Sequence, residues 1–292
     1  MFDFRYHALS IVAVFVALLL GLLLGVAVGD KGLVSGAEKD LRQNLRKDLR
    51  QAQAERDKAR GELQGRDRFE QQQLYPLLVQ GRLSNARVGL IALGSLPDRT
   101  INFVQDALKD TGGRLTLEAV VREPVSLDGI SRRDSGAPRG KSLTDDPKLI
   151  TRFARQFGLG LTQGGKLVQR VRRSLLASSS GSFAGMDAIV LVRQDPGNRS
   201  DAQARVDRAF EGGLISGLTQ NNVPVVGAEL SSAQSSQISW YQSHNLASVD
   251  SIDRFAGRVA LVFTLTGASG SYGVKSTAKA LLPNAVGGAG PR

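Results

Sequence analysis

Arg87-Val88-Gly89-Leu90-Ile91-Ala92-Leu93 is the stretch on which the fold turns. An unbroken apolar run of this length reads as a strand buried on both faces. Gly94-Ser95-Leu96-Pro97-Asp98 is a loop, with Asp98 as the expected helix cap. From Thr100 to Asp110, Ile101, Val104, Ala107 and Leu108 share one helical face, and Gly112-Gly113 stops the helix. Leu115 to Val121 alternates as a second strand. Strand, helix and strand make one βαβ unit, which implies a parallel sheet. The expected fold class is α/β, a Rossmann-like parallel-sheet domain over residues 81–283.

Downstream, Arg122 to Asp146 reads as a basic surface loop, rich in Pro, Gly and Ser. Helices are expected near Lys148–Phe157 and Thr162–Ala177. Ser178-Ser179-Ser180-Gly181-Ser182 reads as a linker, Asp187–Val192 as a third strand, Ala202–Thr219 as a helix and Val223–Gly227 as a fourth strand. Ile252–Thr266 fits helix or strand. A short helix is expected near Ser276–Leu282, and residues 284–292 read as a disordered Gly-rich tail.

Upstream, Ala8 to Val28 is 21 residues without a charge. At helical rise that is about 31 Å, the thickness of a bilayer core. A secretory signal is the rival reading, but its apolar core runs to only roughly 7–15 residues. Residues 1–29 are therefore expected to be an uncleaved transmembrane anchor. Gly21, Gly25 and Gly29 fall on one helix face, where another helix could approach closely. Residues 30–80 are polar and helical in character. Leu41, Leu45, Leu49, Ala52 and Leu63 mark a coiled-coil seam, with a stutter between Leu41 and Leu49. Arg56 sits in that seam, and Gly61 and Gly65 weaken its distal half. The competing reading is a single polar helix folded back on the body. Anchor and stalk together favour a homo-oligomer, most simply a parallel dimer. Tyr75-Pro76 should end or kink the stalk.

Composition bounds the chemistry. The 292 residues carry 38 Lys and Arg against 27 Asp and Glu, with no Cys, two His and two Met. That excludes disulfides, thiol catalysis and zinc ribbons, and leaves little soft-metal chemistry. Residues 81–177 hold 17 basic and 9 acidic side chains, the largest local excess. A face toward an anionic surface accounts for it, as do solvated loop residues such as Arg132, Arg133, Arg139 and Lys141. Gly160-Leu161-Thr162-Gln163-Gly164-Gly165-Lys166 approaches a phosphate loop, but Leu167 replaces the required Ser or Thr. Gly267, Gly270 and Gly273 lack the dinucleotide fingerprint. Ser236, His244 and Asp250 invite a triad, yet no strand–turn elbow presents a serine, and Trp240 reads as core. His244 is the weak candidate for a metal ligand, and His7 reads as interfacial packing. No helix-turn-helix or aromatic platform accompanies the charge, so no nucleic-acid partner is expected. No catalytic residue, cofactor or enzymatic activity is expected.

Phe4-Arg5-Tyr6-His7-Ala8-Leu9-Ser10 leads into the span ending Gly21-Leu22-Leu23-Leu24-Gly25. The charged helix follows, then Leu83 to Gly94, and Tyr272-Gly273 shortly before Leu281-Leu282-Pro283. This pattern resembles the actinobacterial copper transport protein family, of the mycobacterial copper transport protein B type. The resemblance implies a cell-membrane location, single-pass, with a cytoplasmic N-terminus and an extracytoplasmic body. It also implies a part in copper export and homeostasis, with copper as transported ion. Corynebacterial relatives imply an alternative: a coiled-coil envelope scaffold controlling cell separation, partnered by a membrane division protein and a peptidoglycan hydrolase. Family members often carry His before the C-terminal Tyr-Gly, where this chain has Ser271.

Overall fold

Strand β1 (Arg87–Leu93) lies inside a seven-stranded sheet, in a computed structural model that describes residues 4–29, 33–138, 142–195 and 197–284. The chain forms two units, one ending at Asp67 and the other starting at Arg68.

The first unit is helical. Helix α1 spans Phe4–Gly29, and its Tyr6–Ala27 section is long and apolar enough to cross a membrane. Its described side chains are exposed: Leu9, Phe15 and Leu22 keep 74%, 63% and 63% of their surface. Helix α2 spans Leu33–Phe69, and its seam leucines, Leu41, Leu45, Leu49 and Leu63, are likewise exposed.

The second unit opens with a π-helical turn, Glu70–Leu74, and α3 (Tyr75–Val79). Helical backbone continues from the π-helical turn, with Leu74 and Tyr75 both in the right-handed helical region, through Pro76 to Val79, so Pro76 does not end the helix where it stands. After β1 come α4 (Asp98–Leu108), β2 (Arg114–Val121), α5 (Arg132–Ser135), α6 (Pro147–Gln163) and α7 (Lys166–Leu175). Then follow β3 (Leu176–Gly181), β4 (Ala188–Arg193), α8 (Asp201–Leu218), β5 (Val225–Ala228), α9 (Ile238–Ser243), β6 (Ala247–Val249), α10 (Phe255–Leu265) and β7 (Ser271–Tyr272). The spatial order is β3-β2-β1-β4-β5-β6-β7. Every pairing is parallel except β2 with β3.

Alternation along β1 fills both faces. Ile91 and Leu93 join Phe153, Phe157, Phe210 and Leu214 of α6 and α8 in one core. Val88, Leu90 and Ala92 join Val104 of α4 and Val259 and Phe263 of α10 in the other. Helices α6 and α8 cross at backbone contact through glycines. A Cβ on Gly217 would collide with the Arg155 carbonyl oxygen and lie 2.8 Å from the Leu159 nitrogen. Gly213 meets Thr151 and Gly158 meets Leu214 in the same way.

Several expectations are corrected. Ser178–Ser182 is no linker: Ser178, Ser179 and Ser180 pair with β2 in strand β3. Its residues from Ala177 to Gly181 are exposed, so no apolar alternation marks it. Pro97, not Asp98, takes the cap position of α4, and Asp98 stands in the first turn, where the helix dipole favours a carboxylate. Ile252–Thr266 resolves as helix α10, most of it buried, which is why no amphipathic stripe separated helix from strand. No helix forms over Ser276–Leu282; Gly273 N–H donates to the Ala280 carbonyl and Lys279 N–H to the Ser271 carbonyl. The expected tail from 285 onward, and the loop residues Arg139 and Lys141, lie outside the described residues.

Candidate functional site

The strand order reverses beside β1, whose sequence neighbour β2 lies on one side and β4 on the other. In open α/β sheets the crevice at the strands' carboxyl ends at this point is where ligands bind. Here it is a cleft of about 390 Å3, lined by Pro97 before α4 and Thr100 in its first turn, Arg193 at the end of β4 with Gln194 and Asp195 beyond it, and Glu229, Leu230 and residues 232–235 after β5.

The cleft rests on buried charges placed where strands end. Arg193 closes β4 and its guanidinium lies 4.5 Å over the Trp240 ring. Its Nη1 donates to Gln237 Oε1 at 2.5 Å and its Nη2 to Glu211 Oε1 at 3.1 Å. Its Nε is buried without a hydrogen-bond partner. Beneath, Arg199 bridges Glu123 (3.3 Å) and Asp207. Burial, then the neighbouring Glu211 carboxylate, pushes the Glu123 carboxyl up to about 7, against the pull of Arg193 and Arg199. Val125 N–H and Gln203 Nε2 donate to Asp207 Oδ1 at 3.1 and 2.8 Å, tying the loop after β2 to α8.

The β5 side repeats the device. Glu229 accepts from Ser236 Oγ (2.8 Å), Gln237 N–H (2.7 Å) and Lys275 Nζ (2.7 Å). Asp250, after β6, is fully buried and accepts from the backbone N–H groups of Val274 and Lys275. Gly273 is required beside it: its φ is +139°, and a Cβ there would collide with the Asp250 carboxylate. Gly227 plays the matching role under Tyr241, whose ring occupies the space a Cβ would take. Tyr241 Oη accepts from Arg193 N–H at 2.9 Å, and burial raises its pKa.

The residues singled out from sequence do not converge on this cleft. His244 ends α9 with its ring 4.3 Å from that of Trp240 and Nδ1 2.9 Å from the Trp240 carbonyl oxygen. Ser236 turns to Glu229 and Asp250 to the 274–275 backbone, so the three do not form a triad. Trp240 is half-buried against the core; the fully buried aromatic is Tyr241. Gly160 lies inside α6, away from any strand-to-helix turn. Gly21 and Gly25 have nothing within 4 Å of where a Cβ would stand, and the surroundings of Gly29 fall outside the described side chains. No sequence motif singles out Glu123, Arg193, Arg199, Asp207, Glu211 or Glu229. The available signal was position: Glu123, Arg193 and Glu229 each stand at or just past the end of an apolar strand.

Residues 1–283 match the family model described as Copper transport outer membrane protein, MctB. The chain belongs to this family. No curated protein matches it. Membership makes it a copper-transport-related envelope protein, and helix α1 fits the membrane association that the description names. Among the described residues of this MctB-family chain, no three His, Cys, Asp or Glu side chains gather as a metal site. The buried carboxylates are already engaged: Glu123 and Asp207 by Arg199, Glu211 by Arg193, and Glu229 by Lys275.

Proposed function

We propose that this chain is a single-pass protein of the cell membrane, its N-terminus cytoplasmic and its α/β body outside. There it supports copper export as an assembled accessory rather than as the conduit itself. The observation behind this reading is the filling of both faces of the sheet by helices and apolar side chains. An open sheet packed on both sides encloses no lumen, and a single apolar helix makes no pore unless it associates. Transport therefore acts through partners or through copies of the chain.

A second reading is a non-enzymatic scaffold that controls cell separation through a membrane division protein or wall hydrolase. It draws on the exposed seam Leu41, Leu45 and Leu49, which offers an assembly surface. In both readings α1 and α2 pair in a parallel dimer.

The test is cellular copper after copper challenge in a strain lacking the protein, complemented by the full chain or by L45E/L49E. Loss of the protein should raise copper, and the full chain should reverse it. L45E/L49E, although still membrane-bound, should not. Unchanged copper in the deletion strain, with altered wall hydrolysis or cell chaining, would replace the copper reading by the scaffold. Full rescue by L45E/L49E would remove the seam from either.

A further inference from the structure

The carboxyl end of β2, the last turn of α7 and the start of β3 enclose a depression of about 290 Å3. Three arginines line it, Arg122, Arg172 and Arg173, together with Ser178 and Ser179. No carboxylate does. Some arginines of the body are paired with carboxylates: Arg87 with Asp187, Arg170 with Asp134, Arg193 with Glu211 and Arg199 with Glu123. Among the described residues, the three rim guanidinia have no such partner in the protein.

Helix energetics accounts for two of them. Arg172 and Arg173 stand in the last turn of α7, where the dipole favours cations. It does not account for Arg122, which arrives from another element and adds a like charge. Its position is built in: Arg122 N–H donates to the Leu175 carbonyl at 2.8 Å, locking the end of β2 against the end of α7. Three like charges around one concavity suit an anion, since an incoming anion relieves their repulsion.

We infer that Arg122, Arg172 and Arg173 form a binding site for phosphate groups. The guanidinium fork matches phosphate oxygens in pairs of hydrogen bonds, and a terminal phosphate offers three oxygens to three arginines where a carboxylate offers two. Ser178 and Ser179 add hydroxyl donors at the same wall. The surrounding excess, 17 basic against 9 acidic side chains over residues 81–177, draws an anion toward this half of the body. Phosphate can come from a lipid headgroup or from a soluble phosphate compound, and the experiment separates the two.

Full-length protein in zwitterionic phosphatidylcholine nanodiscs is titrated calorimetrically with pyrophosphate at low salt. Saturable binding is expected, weakened by about 10-fold or more in R122Q/R172Q/R173Q and lessened by salt. R99Q, which removes an exposed arginine of α4, should bind as the parent does. In a second arm, phosphatidylglycerol replaces part of the lipid and amide exchange is followed over residues 172–179. Protection that depends on this lipid and is lost in the triple variant identifies the headgroup as the source. Pyrophosphate binding without such protection identifies a soluble phosphate. The substituted side chains are exposed, so unchanged circular dichroism and unfolding midpoints should accompany either result. A variant that misfolds is replaced by R122Q alone. Equal responses of parent and variant in both arms overturn the site.

Discussion

Gly213-Leu214-Ile215-Ser216-Gly217 in α8 and Gly21-Leu22-Leu23-Leu24-Gly25 in α1 share one spacing and have opposite surroundings. The α8 pair is pressed against the backbone of α6, where Thr151 Oγ1 also donates to the Ala209 carbonyl at 3.2 Å. The α1 pair faces open space. Glycine spacing states how closely a helix can be approached; it does not state by what. In α8 the partner lies in the same chain. In α1 no atom of the described residues fills the space beside Gly21 and Gly25. The arginines divide in the same way. Adjacent residues Arg122 and Glu123 separate, one to an exposed unpaired rim and the other to a buried cluster answered by Arg199.

The sharpest test of the glycine contrast is one substitution made twice. Gly217→Val drives a branched side chain into the Arg155 carbonyl and should cost the body about 4 kcal/mol or more, enough to unfold it or shift its denaturation midpoint strongly. Gly21→Val should leave that midpoint unchanged and weaken only association of α1 in the membrane. Urea unfolding of the full chain in detergent, read by Trp240 fluorescence, measures the first. Energy transfer between labelled chains in vesicles measures the second. An unaltered midpoint for Gly217→Val would mean that the α6–α8 crossing is looser than its backbone contacts indicate.

The charge contrast predicts a somewhat smaller effect. Arg199→Met removes the cation between Glu123 and Asp207, both almost fully buried, and should cost about 3 kcal/mol or more. Single replacements of the rim arginines should cost next to nothing, since their side chains are exposed. Equal losses at both places, measured by thermal unfolding, would erase the distinction between a structural and a binding arginine.

Why part of this was legible in advance and part was not follows from the same comparison. Residues 87–121 carried the βαβ unit openly, because strand, amphipathic helix and strand each bury a face that periodicity records. Strand β3 reads as a linker in the sequence because Ser178, Ser179 and Ser180 bury nothing. Helix α10 stayed ambiguous because it buries nearly everything, and a helix without a polar face has no stripe to detect. The short strands β6 and β7 owe their place to neighbours far along the chain: Ser248 N–H donates to the Gly270 carbonyl, and Ser248 Oγ to Ser271 Oγ. The cleft was hidden for a related reason. Arg193 and Glu211 are ordinary charges until the fold sets them 3.1 Å apart, while His244, the rarer residue in the sequence, stands against Trp240 instead.

The smallest effect expected is also the most specific to the buried cluster. In the folded chain the Glu123 carboxyl titrates at about 7, against 4.5 for an ordinary glutamate, because burial and Glu211 disfavour its charged form. The folded state thus holds a proton that the unfolded chain has released across this interval. Glu123 therefore contributes stability that is fully present below about pH 4.5 and is lost as pH rises through about 7. Glu123→Gln keeps a neutral side chain at every pH and removes this component. Its unfolding free energy relative to the parent should rise between pH 4.5 and 7 and level off above. Unfolding titrations at closely spaced pH values check the slope, and the transition they report belongs to the Glu123–Glu211 pair as a unit. Parallel profiles for parent and variant would place Glu123 as a charged partner of Arg199 throughout. The cluster would then be a permanently ionised clamp on the loop after β4 instead of one that shares a proton near neutral pH.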